Sequence, residues 1–274
     1  MEMKKKLSYL AASVLALVLW WLFGGAGPQA QGNQDTNVIS QDLIGLEIPF
    51  MADDRTVIEH MGYTVSYNEE YRIPNWVAYE LQDSELYGDL DRAEKFSPDP
   101  DFKGRQAYDS DYSGSGWDRG HMAPAGDMKW SSQAMAESFY LTNVCPQNHN
   151  LNAGVWNDLE KQVRREAKYY GKVWVVSGPI VGSNRYGTIG KNKVMVPDSF
   201  FKALLAVNRE GKYVSAGFIF PNEAGDNGMA SYAMTVNELE KEIGMDLFYN
   251  LDQDIQEKVE DRIDLWNDWR ISEK

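Results

Sequence analysis

The sequence predicts an α+β domain, and three observations carry that reading. Its strand-like segments come in pairs that read as antiparallel. Its helix-like segments do not alternate regularly with them, which disfavours a parallel, doubly wound sheet. Its composition is that of a globular chain: 274 residues, 43% hydrophobic and 25% charged, with nine Trp and 15 Tyr to fill a core.

The chain opens on Lys4, Lys5 and Lys6, followed by an apolar run from Leu7 to Phe23 and then small and polar residues. A basic start, an apolar stretch and small residues match a secretory signal; Trp20 and Trp21 would equally suit a retained membrane anchor. No Cys follows, which argues against a lipoprotein, and no Arg precedes Arg55, which disfavours a mitochondrial presequence. Both forms place the domain outside the cytoplasm: periplasmic, secreted, or anchored to the outer face of the inner membrane. Residues 1–31 are therefore read as signal peptide or anchor plus the start of a linker, 32–45 as linker, and 46–274 as the working domain.

Within that domain "WVAYEL" (76–81) reads as an opening strand. "FYLTNV" (139–144) and "KVWVVSGPIV" (172–181) are rich in β-branched and aromatic residues, as strands are. "FFKALLAV" and "YVSAGFIF" flank "NREGK" and predict a hairpin. Thr235 and Glu238 have capping-box spacing at a helix start. Ile255, Val259, Ile263 and Trp266 recur at helical spacing and predict a C-terminal amphipathic helix on the surface.

The formal charge is −14, which argues against a generic electrostatic nucleic-acid binder. The charge is uneven. From Asn237 to Lys274 there are 12 acidic and 5 basic residues; from Trp117 to Lys172 there are 6 and 7, so a phosphate-bearing ligand is tolerated there. The lone Cys145 rules out an intrachain disulfide and a multi-cysteine metal site.

The stretch "GWDRGHMAPAGDMKW" (116–130) holds His121, one of three histidines. It reads as a general base or as a turn histidine bonded to Asp118. Downstream, "NLNAGVWNDLEKQVRREAKYY" (150–170) fits one helix. On its wheel Asn152 falls within the apolar face of Val155, Trp156, Leu159 and Val163, with Glu160 at the edge and Lys161, Arg164 and Arg165 beyond. A polar residue there needs a partner. Asn152 is either the helix N-cap, a role Asn150 fills equally, or an oxygen ligand for a hard cation such as Mg²⁺, which takes few protein ligands. His60 and His149 read as structural or solvated.

The stretches "DRGHMAPAGD", "FYLTNVCPQNHNLNAGVWNDLE", "PNWVAYEL", "VPDSFFKALL" and "FPN" stand in the order seen in the DNA/RNA non-specific endonucleases, and the chain resembles that family from about Leu46 to Tyr249. The resemblance implies a mixed α/β sandwich with a central, mainly antiparallel sheet and a ββα-metal finger. It implies a nuclease cutting both DNA and RNA to 5′-phosphate ends with Mg²⁺, for which Mn²⁺ can substitute, and the N-terminal segment implies that it is exported. By motif position, His121 resembles the base that deprotonates water and Asn152 the sole direct metal ligand. Glu160 resembles the acid that orders metal-bound water, and Arg119 a phosphate contact. Arg92 is similar to an upstream phosphate-holding arginine, and Asn143 to a motif position beside the base. Family members are often homodimers. Two other classes remain open: a catalytically silent envelope nucleic-acid-binding protein, and a metal phosphodiesterase acting on small phosphodiesters.

Overall fold

Seven strands hydrogen-bond in the order β1-β2-β3-β6-β9-β10-β11, every neighbouring pair antiparallel. They are β1 (Val57–Glu59), β2 (Thr64–Asn68), β3 (Ile73–Gln82), β6 (Lys172–Ile180), β9 (Ser199–Val207), β10 (Tyr213–Pro221) and β11 (Ala233–Met234). Two further pairs stand apart: β4 (Asp118–His121) with β5 (Val144–Gln147), and β7 (Thr188–Ile189) with β8 (Val194–Met195). The computed structural model describes residues 45–52, 56–93, 95–225 and 227–272. The leader and nearly all of the linker lie outside the described residues. Among the described residues, no helix is long and apolar enough to cross a membrane.

The helices are α1 (Asp109–Tyr112), α2 (Ser132–Ser138), α3 (His149–Ala153), α4 (Val155–Tyr170), α5 (Val236–Ile243) and α6 (Gln253–Glu260). Alternation along the strands sends side chains to two apolar layers. On β9, Phe200, Leu204 and Ala206 join the layer that holds Trp156, Leu159 and Val163 of α4. Phe201, Ala203 and Leu205 join the opposite layer with Val236 and Leu239 of α5 and Val259 of α6. Both faces are covered, which is why the central strands read as unbroken apolar runs. The result is the α+β sandwich expected, with β4, β5 and α3 forming a ββα finger.

The hairpin and capping box form as expected. Asn208 donates its N–H to the Lys212 carbonyl (2.8 Å) and accepts two turn N–H groups on Oδ1. Thr235 Oγ1 accepts from Glu238 N (3.2 Å) while Glu238 returns a carboxylate oxygen to Thr235 N (2.9 Å).

Four expectations need correction. "WVAYEL" does not open the domain, because the short strands β1 and β2 precede it. "FYLTNV" is a strand only from Val144: Phe139 caps α2, and Leu141–Asn143 is a 3-10 turn pinned by Asn143's side chain. The single helix over 150–170 is two, broken at Gly154, where a Cβ would lie 2.3 Å from the Asn150 carbonyl oxygen. The C-terminal helix stops at Glu260; Ile255 and Trp266 point to solvent, and Trp269 is the residue that docks into the core.

Candidate active site

The finger is set by its backbone. β4 runs antiparallel to β5, with Asp118 opposite Gln147 and His121 opposite Val144. Gly120 makes the approach feasible, since a Cβ there would sit 2.1 Å from Gln147 Oε1. α3 is then capped by Asn148, whose Oδ1 accepts from Asn150 N (2.9 Å) and Leu151 N (3.4 Å). Neither Asn152 nor Asn150 is the cap. Asn222, from the "FPN" stretch, fastens the finger to the sheet. It accepts from Asn148 N (2.8 Å) and donates to the carbonyls of Pro146 (3.1 Å) and Pro197 (2.9 Å).

His121 is 7% exposed and wedged between the rings of Phe96 and Phe139, at 5.2 and 4.9 Å between centroids. Its ring is hydrogen-bonded to the Arg119 backbone, while Nε2 has no hydrogen-bond partner. A carbonyl can only accept, so the bonded nitrogen is Nδ1–H and the lone pair sits on Nε2. Burial, followed by the nearby Arg92 guanidinium, pushes the imidazole down to about 3. The ring is therefore neutral at any working pH. Asp118 is not its partner: Asp118 Oδ2 meets His149 Nδ1 (2.9 Å) and Asn152 Nδ2 (2.9 Å).

That last bond orients Asn152. A carboxylate accepts and cannot donate, so the amide must turn its NH₂ toward Asp118. Oδ1 is then left without a hydrogen-bond partner among the described residues. One amide oxygen and the Glu160 carboxylate, which lines the same cleft, form a hard-oxygen donor set. Such a set suits a small divalent cation that keeps most of its waters.

Five of the six predicted residues meet in one cleft of about 250 Å³, lined by Arg92, Arg119, His121, Asn152 and Glu160, with Asn157 and Arg164 added. Arg119 is braced by Asp109, through Nε to Oδ1 (2.6 Å) and Nη2 to the carbonyl (2.9 Å). Burial pushes the Glu160 carboxyl up to about 7, with Lys202 the largest opposing attraction. Asn143 does not reach the cleft. It is fully buried and clamps the chain after His121, accepting from Ala123 N (2.8 Å) and donating to the carbonyls of Ala123 (2.9 Å) and Ser138 (2.8 Å).

Sequence reasoning missed Arg164, which the wheel set apart from the apolar face. It stands one turn after Glu160, and its Nη1 meets buried Asp127 Oδ1 at 2.6 Å. The four-residue step from Glu160 was the available signal. Among the described residues, His60, Asp99 and Asp101 could each offer a donor to a cation. They lie outside the cleft lining, and the Asp99 oxygens are already engaged. His60 Nε2 (3.0 Å) and Thr142 Oγ1 (2.7 Å) share Oδ2, and Asp101 N (2.9 Å) takes Oδ1.

Residues 46–254 match the family model of the DNA/RNA non-specific endonucleases. The chain is 39% identical over 211 residues to "Nuclease EXOG, mitochondrial" of Homo sapiens, covering 71% of this chain and 57% of that protein. It is 35% identical over 197 residues to human "Endonuclease G, mitochondrial", covering 67% and 66%. It is 32% identical over 225 residues to a "Nuclease" of Nostoc sp., covering 78% and 81%. A chain of the solved EndoG/EndoGI complex superposes with a TM-score of 0.69 at 27% identity, covering 80% of this chain and 96% of that one. The chain spans about three-fifths of the length of the EXOG nucleases it matches.

Proposed function

This chain belongs to the DNA/RNA non-specific endonuclease family, and we propose that it is a divalent-metal-dependent endonuclease hydrolysing the phosphodiester bonds of DNA and RNA. One observation carries the reading: the neutral, unpartnered Nε2 of His121 stands in the same cleft as three arginines, an amide oxygen and a carboxylate.

His121 Nε2 accepts the proton of the attacking water. Its Nδ1–H bond to the Arg119 carbonyl fixes the tautomer and stabilises the imidazolium that forms. Arg92 and Arg119 bind phosphate oxygens, and Asp109 holds the Arg119 fork in register. Asn152 Oδ1 and Glu160 would hold Mg²⁺ or Mn²⁺ with its water shell. Such an ion stabilises the charge that builds on the reacting phosphate and assists departure of the 3′ oxygen, leaving a 5′-phosphate. Contacts made to phosphate and sugar carry no base information, which favours cleavage without sequence preference.

The basic start and apolar run of residues 4–23 support export, by a cleaved signal or a retained anchor; N-terminal sequencing of the mature protein decides between them. Residues 46–274 are the nuclease domain in this reading, and the family supports a homodimer, which light scattering checks.

The decisive experiment follows supercoiled plasmid and RNA with protein lacking residues 1–31. We expect cleavage with Mg²⁺, none with EDTA, and a loss of about 10²–10⁴-fold in His121→Ala. Absence of cleavage with Mg²⁺, Mn²⁺ or Ca²⁺ would sink the proposal.

A further inference from the structure

Lys202 is a charged side chain in the core that no step above uses. It sits mid-strand in β9 between two phenylalanine and leucine positions, and it is fully buried. Alternation puts it on the face of Phe200 and Leu204, the face covered by α4. Its Cα pairs with Ser177 of β6, whose hydroxyl donates to the Met122 carbonyl (2.9 Å), one residue past His121. Lys202 therefore lies beneath the cleft.

Nothing there accepts a hydrogen bond from it. Nζ has no hydrogen-bond partner and rests 4.4 Å from the centroid of the Trp156 ring. A buried ammonium needs compensating charge. The strongest attraction comes from Glu160, then Asp127, with Arg164 opposing. Trp156, Glu160 and Arg164 are spaced four apart and form one ridge of α4. Asp127 is already occupied by Arg164 (2.6 Å) and the Tyr79 hydroxyl (2.9 Å). Glu160, by contrast, accepts no hydrogen bond from any described residue. Of the cations that attract its carboxylate, Lys202 is the strongest, ahead of Arg164 and Arg92.

We propose that Lys202 is a positioning residue: its buried ammonium, fixed on the rigid centre of the sheet, holds the Glu160 carboxylate of α4 in place at the cleft without touching substrate. This rests on the endonuclease reading, in which Glu160 works in the cleft. Both residues belong to one unit, so removing the second should matter little once the first is gone.

The test is a double-mutant cycle of Lys202→Met, Glu160→Gln and the double variant in the full chain, read by plasmid cleavage and by melting temperature. We expect Lys202→Met to lower kcat by about tenfold to a hundredfold with KM changed less than about threefold. In the Glu160→Gln background the same change should cost less than about threefold more. Each single variant should melt lower than wild type, and the double variant should recover part of the loss, because neither charge is then left unpaired. If Lys202→Met does not fold, Lys202→Gln takes its place in the cycle. Additive losses in kcat overturn the proposal even if the melting temperatures couple, since the pair would then be structural only. Absence of cleavage by the wild type would overturn the endonuclease reading instead, and the pairing would stand or fall on the melting temperatures.

Discussion

Burial leaves His121 unprotonated but lowers its proton affinity, so the imidazolium formed in the reaction depends on its Nδ1–H bond to the Arg119 carbonyl and on the charge of the bound phosphate. An imidazole near 6.5 in water would be part-protonated at pH 6, whereas this one, held at about 3, keeps Nε2 free throughout. The group that titrates near neutrality in the cleft is Glu160, raised to about 7 by burial. A bound cation favours its ionised form, so binding must release protons. At pH 7 we expect Mg²⁺ to release roughly half a proton per site in the wild type and none in Glu160→Gln. Calorimetry in buffers of different ionisation enthalpy measures this; equal release by both proteins would remove Glu160 from the ion's surroundings.

At the scale of elements, the site depends on how the finger and α4 are held. The Asn222 side chain alone makes three hydrogen bonds that tie β5, the α3 cap and the segment before β9 together. Asn222→Ala should destabilise by about 1–3 kcal/mol, the cost of leaving buried groups unpaired. It should also slow plasmid cleavage, because the finger carries Asn152 and His121; denaturant melts and kcat together check this. The outer side of α4 is strapped by the C-terminal segment. Trp269 is fully buried, donates Nε1–H to the Ser215 carbonyl (3.2 Å) and accepts from Gln162 Nε2 (2.8 Å), while Arg270 pairs with Glu166 of α4. This strap follows the part of the chain that the family model matches. Trp269→Ala should cost about 3–5 kcal/mol by cavity formation. A denaturant midpoint unchanged by that substitution would show that the strap does not anchor α4.

Across the whole molecule, the −14 charge is spread unevenly, with the acidic side remote in sequence from the arginine-lined cleft. Two of those acids interact, Glu260 buried and Glu240 half-buried: burial and then neighbouring Glu240 push Glu260 up to about 8, and burial pushes Glu240 to about 7. Both are raised above their unfolded values, so the folded state holds protons the unfolded chain gives up. Their stabilisation is fully present below about pH 4.5 and is lost as pH rises through about 7 to 8. We expect the melting temperature to fall by on the order of 5 °C between pH 6 and pH 9, and Glu260→Gln to flatten that slope. The apolar runs of β6, β9 and β10 and the capping box at Thr235 were readable because period and local hydrogen bonding fix them within a few residues, whereas the ββα finger was readable only through the family resemblance. His121, Asn152 and Glu160 were candidates through the family resemblance, and the structure sets the three of them in one cleft. What the sequence could not show is which polar atoms end up without partners. The wheel that ran Asn152 and Glu160 along one helix fails at Gly154, yet both residues still reach one cleft. The neutrality of His121, the amide turn imposed by Asp118, the clamp of Asn222 and the charge of Lys202 beneath α4 all depend on burial and on contacts between residues far apart in the chain. Spacing along a sequence sets which side chains are present; only the packed sheet and its covering helix set the dielectric and the neighbours that decide what those side chains can do.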